Sequence, residues 1–303
     1  MIYTVTFNPA IDYVVHMSTL AKGSVNRSEK EEMFFGGKGI NVSAVLKQLG
    51  VDSVALGFIA GFTGDAIENG LADMGIKTDF IRLESGCSRI NVKIKTHHET
   101  EINGKGPDIS REALSQLCEK LDKLQSGDTL VLAGSVPSSL PSDVYEQILE
   151  RLSKKGIRTA VDACGELLTN VLKYKPFLIK PNIFELSELF DEVFKTDADI
   201  ERCARRLHEQ GAENVLVSMA GDGALLVDSE GNTHRCAACE GEVKYSVGAG
   251  DSMLAGFLAA TAEKPGDYEY ALKLGSAAGG ATAFSEGLAE KAMIDEMMKQ
   301  LDG

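Results

Sequence analysis

The sequence predicts an α/β protein: three α/β/α layers around a mainly parallel sheet, with a small antiparallel β lid protruding from it. Three observations lead there. Short β-rich runs alternate with helical patterns for most of the 303 residues. Those runs are apolar on both alternating faces, as strands covered by helices on each side must be. Two stretches, about 12–35 and 87–104, break the rhythm and read as successive strands with no helix between them.

In order, the strand-like runs are IYTVTF, SVALGFI, TLVLAGS, RTAVDA, PFLIK and NVLVSMA. The helical patterns between them include GINVSAVLKQLG, DAIENGLADMG, SREALSQLCEKLDKL and SDVYEQILERLSKKG. Leu114, Leu117, Leu121 and Leu124, then Val144, Ile148 and Leu152, recur at the three- and four-residue spacing of a buried helix face. The lid strands include CSRINVKIKTHHETEING, with His97-His98 at a strand end or hairpin turn. A few strands bury too little to stand alone, so the lid should cover a cleft, pair with a second subunit, or both. With no linker, repeat or low-complexity segment, residues 1–303 are expected to form a single domain.

A net charge of −14 argues against nucleic acid or an anionic membrane as partner, because both reward basic surfaces. A phosphate ligand would need a local positive island. The N-terminus reads directly as a strand, without the marks of a signal peptide, and no run has the apolar length of a membrane span. Six scattered cysteines suit a reducing cytoplasm, and Cys236-Ala-Ala-Cys239 lacks the second pair that a metal site needs. The expected location is cytoplasmic.

Four glycine-rich or polar junctions carry chemistry. FFGGKGIN places Gly37, Lys38 and Asn41 where a strand turns into a helix: close backbone approach, a positive charge and a two-way hydrogen bonder. It is not a Walker loop, since Gly follows Lys38 and Glu32 stands where the first Gly belongs. KPNIFEL reads equally as a capping box of Asn182 and Glu185 or as ligand contacts through Lys180, Asn182 and Glu185. SMAGDGALLV reads as a hairpin turn holding Ser218, Gly221 and Gly223, and AGSVP leaves Ser135 at a strand end, where doubly wound sheets bind ligands. YSVGAGDSML opens an apolar helix with Gly248, Ala249 and Gly250, a natural anion cradle, followed at once by Asp251.

GGKGIN early, NxxE midway and GAGD late, in this order and spacing, resemble the ribokinase-like (PfkB) carbohydrate kinases over essentially the whole chain. TVTFNPAIDYVV, Arg27 in VNRSE, SRINVKIK and ETEINGKGP resemble the phosphosugar branch. One departure is that Tyr245-Ser246 replaces the Asp-Thr commonly found before x-GAGD, although Ser246 keeps a hydroxyl.

The resemblance implies a ribokinase-like fold and ATP- and Mg2+-dependent phosphorylation of fructose-1-phosphate at its C6 hydroxyl. Tagatose-6-phosphate and fructose-6-phosphate are the alternative acceptors. Asp251 would take the proton of the attacking hydroxyl while Gly248, Ala249 and Gly250 hold the charge of the moving phosphoryl group. Asp12 and Asn41 would hold sugar hydroxyls; Lys38 and Arg89 would clamp the sugar's phosphate, with Gly37, Asn91 and Ser135 nearby. Arg27 would reach the same phosphate from a partner in a homodimer joined through the lid. Lys180, Asn182, Ser218, Gly221, Gly223 and Val247 would contact ATP, Glu185 would serve the metal, and the small-residue run GSAAGGATAF would pack beside the adenine. Two other readings are a non-catalytic sugar-phosphate sensor and a kinase of nucleosides or free sugars. An intact Asp251 and cradle oppose the first, and Arg89 the second.

Overall fold

The structure is a computed structural model that describes residues 1–97 and 99–302; His98, half of the His97-His98 pair, lies outside the described residues. The strands are β1 (Ile2–Thr6), β2 (Ala10–His16), β3 (Lys30–Gly36), β4 (Ser53–Ala60), β5 (Lys77–Thr78), β6 (Ile81–Leu83) and β7 (Arg89–Lys95). They continue as β8 (Glu99–Asn103), β9 (Thr129–Ala133), β10 (Arg158–Asp162), β11 (Leu178–Ile179), β12 (Val215–Ser218), β13 (Ala224–Val227) and β14 (Thr233–Cys236). The helices are α1 (Lys38–Gln48), α2 (Gly61–Asp73), α3 (Arg111–Leu121), α4 (Val144–Leu152) and α5 (Glu166–Thr169). After these come α6 (Ile183–Phe190), α7 (Asp197–Glu209), α8 (Ala249–Glu263), α9 (Tyr268–Ala283) and α10 (Lys291–Asp302).

The main sheet runs β14-β13-β12-β11-β10-β9-β1-β4-β5, with β6 also lying on β4. Neighbours from β5 across to β12 are parallel, and only β13 and β14 are antiparallel additions. Strand periodicity then sorts the core. Leu130 and Leu132 face α3, α4 and α7, while Val131 and Ala133 face α1, α8 and α9. The expected three layers result. The small residues of α9 have a packing use: a Cβ on Gly256 of α8 would lie 2.5 Å from the Leu274 carbonyl, and one on Gly275 would lie 2.9 Å from that of Met253. Close contact of the two helices requires both glycines.

The small sheet is present, in the order β3-β2-β7-β8. Its hairpins β2–β3 and β7–β8 are antiparallel, but the central pair β2–β7 is parallel, because each hairpin leaves the main body separately and in the same sense. Ile11 anchors it on Ile40 of α1 and on Ile67 and Leu71 of α2. Met33, Ile90 and Ile102 remain exposed.

Chain winding reverses at β1, which sits between β9 and β4. In open α/β sheets this reversal opens a crevice beyond the carboxyl ends of the strands. The site lies along that edge.

Candidate active site

Five strand ends supply the site's floor. At the end of β1, the Thr6 hydroxyl accepts from the Ile40 N–H at 3.0 Å and fixes the start of α1. Gly37 just before it has φ 121°, and a Cβ there would strike the Thr6 methyl at 2.5 Å, so only glycine fits. Lys38 consequently leans on Gly134, which follows β9 and precedes the exposed Ser135. β10 ends in Asp162, only 1% exposed, whose carboxylate lies 3.2 Å from Lys38 Nζ and 3.3 Å from Lys180 Nζ. Lys180 follows β11, and Ser218 ends β12.

Asp251 enters from the opposite side, in the first turn of α8. It is buried, and its Oδ2 accepts from Asn41 Nδ2 at 2.8 Å. Gly248 takes φ 85° as the N-cap. The Ala249 N–H already donates to the Ser246 carbonyl at 3.2 Å. Among the described residues the N–H groups of Gly248, Gly250 and Asp251 are without a protein acceptor. Of the three N–H groups expected to form a cradle, the middle one, that of Ala249, is thus used to close the turn. Lys180 lies beside this turn: its Nζ would lie 3.2 Å from a Cβ on Gly250.

The small sheet supplies the third wall. Residues at alternate positions of a strand share a face, which aligns Arg89, Asn91 and Lys93 of β7 with Asp12 of β2. Asp12 accepts from Asn91 Nδ2 at 2.8 Å and lies 3.2 Å from Lys93 Nζ. The Asn91 side-chain carbonyl accepts from the Gly104 N–H at 3.2 Å. Arg89 Nε is buried and has no partner among the described residues. Arg27 stands apart, exposed in the connection between β2 and β3.

Beside this cluster lies a 510 Å3 cavity. Asn182, Ser218, Gly221 and Gly223 line it, together with Ser276, Gly279, Gly280 and Ala283 of α9. The small-residue run thus both packs α8 and clears space for a ligand. Val247 is not among the lining residues and is 40% exposed. Ser246, its neighbour, does line the cavity. The capping box forms in full, the Glu185 carboxylate accepting from the Asn182 N–H at 2.8 Å and the Asn182 side chain from the Glu185 N–H at 2.8 Å. Capping uses Glu185 Oε2 only, and Glu185 still acts electrostatically on Lys38.

The charges set one another. Burial, and next the charge of Asp162, push the Asp251 carboxyl up to about 7, against the pull of Lys38, Asn41 and Lys180. Burial also pushes Asp162 upward, but Lys180 and Lys38 outweigh it and hold it below the usual carboxylate range. Lys38 is lowered by burial, yet Asp162 and Asp251 bring it above its ordinary value. Burial lowers the Arg89 guanidinium, with Asp12 opposing.

Sequence reasoning missed Asp162, Lys93 and Tyr245. The first two had signals: VDA ends an apolar strand at the ligand edge, and Lys93 shares the two-residue period of Arg89 and Asn91. Tyr245 stood out only as a departure.

A buried carboxylate, a glycine-rich helix start and two lysines gather at the switch point of a parallel sheet, a set of groups that phosphoryl transfer can use. The chain belongs to the pfkB family carbohydrate kinases, whose family model matches residues 4–294. It is 46% identical over 301 residues to the 1-phosphofructokinase of Bacillus subtilis (strain 168), covering 99% of this chain and 98% of that one. It is 39% identical to the D-tagatose-1-phosphate kinase of Bacillus licheniformis, again over 99% and 98% of the two chains. Phosphofructokinase-2 from Escherichia coli in complex with fructose-6-phosphate superposes with a TM-score of 0.92 at 27% identity, covering 100% and 99%. The chain is thus an enzyme with the ribokinase-like fold that transfers phosphoryl groups to a carbohydrate alcohol, which displaces the sensor reading.

Proposed function

We propose that the enzyme transfers the γ-phosphoryl group of ATP to the C6 hydroxyl of fructose-1-phosphate, giving fructose-1,6-bisphosphate and ADP. One observation carries the choice of a phosphorylated acceptor: Arg89 holds a buried Nε, unpartnered among the described residues, on the same wall as Asp12. A buried guanidinium donor calls for an anion, and a planar fork suits phosphate. A free sugar would leave it unpaired. The 46% identity to a 1-phosphofructokinase supports the ketohexose 1-phosphate.

Asp12 and Asn41 would position the sugar hydroxyls, with Lys38 and Arg89 on its phosphate and Asn91 and Ser135 beside them. Asp251 would accept the proton of the C6 hydroxyl as its oxygen bonds to the γ-phosphorus and the bridging bond to ADP breaks. The Gly248 and Gly250 N–H groups and Lys180 would receive the charge on the transferred oxygens. Asn182, Ser218, Gly221 and Gly223 would hold the nucleotide in the adjoining cavity. Glu185 fits a Mg2+ role, since that ion commonly uses one or two carboxylates plus phosphates and water, and its chemistry there is charge neutralisation.

The small sheet would serve as a lid on a single catalytic domain. The exposed apolar side chains Met33, Ile90 and Ile102 support a homodimer through it, with Arg27 offered to the partner's phosphate site. The absence of disulfides among the described residues is compatible with a cytoplasmic enzyme.

A second reading is tagatose-1-phosphate as acceptor, favoured by the 39% identical relative. It differs from the tagatose-6-phosphate alternative in where the phosphate already sits. A coupled ADP assay with fructose-1-phosphate, tagatose-1-phosphate, fructose-6-phosphate, tagatose-6-phosphate and ribose decides among them. The expected result is the highest kcat/KM with fructose-1-phosphate, and preference for any other acceptor overturns the assignment.

A further inference from the structure

Tyr245 lies on the segment leading into the α8 turn, three positions before Gly248. Its backbone is pinned: the Lys244 and Tyr245 N–H groups both donate to the Ala283 carbonyl, at 2.9 and 3.1 Å. Its side chain leaves the main body and meets the small sheet. Lys93 donates to the Tyr245 hydroxyl, and the Lys93 and Lys95 ammonium groups sit 5.1 and 4.2 Å from the ring centroid. Lys93 is only 4% exposed and also reaches Asp12 at 3.2 Å and Glu101 at 3.9 Å. A buried ammonium needs several such partners to stay charged, so removal of one loosens its hold on the others.

We propose that Tyr245 is a positioning residue, a latch that docks the lid on the loop entering the phosphoryl cradle and, through Lys93, fixes the Asp12 carboxylate that faces the sugar. The chain runs Tyr245–Lys93–Asp12–Asn91, and all four side chains meet by direct contact. Two kinds of contact make the latch. The hydroxyl fixes Lys93, and the ring face carries Lys95 as well. Phe in place of Tyr keeps the second and loses the first. The latch acts on the sugar half of the site; Tyr245 does not line the neighbouring cavity.

The inference rests on the acceptor assignment above, and its test separates the two. With fructose-1-phosphate and ATP, Tyr245→Phe is expected to raise the KM for the sugar phosphate about tenfold, the scale of one hydrogen bond to a charged group. Tyr245→Ala should raise it further. The KM for ATP should stay within about twofold of wild type, a split that general loss of folded protein does not produce. Lys93→Met should mimic Tyr245→Phe, and the double variant should be no worse than the poorer single one, as partners in one network behave. Hydrogen exchange of the ligand-free protein reads the latch without activity: β7 and β8 amides of Tyr245→Ala should exchange at least several-fold faster than in wild type. An unchanged sugar-phosphate KM in both Tyr245 variants, additive effects with Lys93→Met, or unchanged β7–β8 exchange would each overturn the latch. If wild type phosphorylates no ketohexose phosphate, the acceptor assignment falls, while the exchange comparison still decides the latch.

Discussion

Asn41 Nδ2 donates to Asp251 Oδ2 at 2.8 Å, although 210 positions separate the two residues. This bond ties the start of α1 to the start of α8, so two helix N-termini converge on one crevice. It leaves the second carboxylate oxygen of Asp251 for another partner, as a proton acceptor requires. Asp162 lies behind them and raises the proton affinity of Asp251 while anchoring Lys38 and Lys180.

Replacing Asp251 with Asn should lower kcat by about 10²–10⁴. The same change should stabilise the protein at high pH. Between the ordinary carboxylate value of 3.8 and about 7, the folded protein holds a proton that the unfolded chain has lost. Wild-type stability therefore declines as pH rises through that window and levels off above it. At pH 8 the variant should exceed wild type by at most about 4 kcal/mol, with the difference vanishing near pH 4. Denaturant melts at both pH values check this, and a variant weaker at pH 8 than at pH 4 relative to wild type would refute the electrostatic picture.

Wild-type kcat/KM should rise over about pH 6–8 as Asp251 loses its proton. Asp162→Asn removes the second contributor to that raised affinity, so the acid limb should move to lower pH. It also leaves Lys180, 4% exposed, without its buried counter-ion, which should cost about 3–5 kcal/mol of stability. A pH–rate profile with an unmoved acid limb would show that Asp162 does not act on Asp251.

Gly250→Ala separates helix packing from ligand binding. Gly250 lies within α8, where alanine is favoured by up to about 1 kcal/mol. The added Cβ would lie 3.2 Å from Lys180 Nζ, so the ammonium must shift by a few tenths of an ångström from its place beside Gly250. The melting temperature should hold or rise while kcat falls at least tenfold. Retained kcat would deny Lys180 a role beside Gly250.

The capping box allows a similar separation at Glu185. Asn182→Ala should cost about 1 kcal/mol of stability. Glu185→Gln preserves the reciprocal cap and should melt within about 0.5 kcal/mol of wild type. It should nevertheless need several-fold more Mg2+ for half-maximal rate. An unaltered Mg2+ requirement would confine Glu185 to capping.

What local patterns alone determined was considerable. Apolar runs such as TLVLA and the leucine spacing of Leu117 and Leu121 encode strand and helix because the two backbone periods differ, and both segments took those forms. GGKGIN and GAGD were legible as helix starts, because glycines there shape the backbone locally, and α1 and α8 begin at them. The tertiary structure decided how these pieces meet. Sheet order, set by burial across the whole chain, placed the ends of β10 and β11 side by side and so put Asp162 between Lys38 and Lys180. The parallel β2–β7 pairing set Asp12 against Asn91, and docking of the small sheet brought Lys93 to Tyr245. Contacts between residues distant in the chain depend on which surfaces are buried together, and no short segment carries that information.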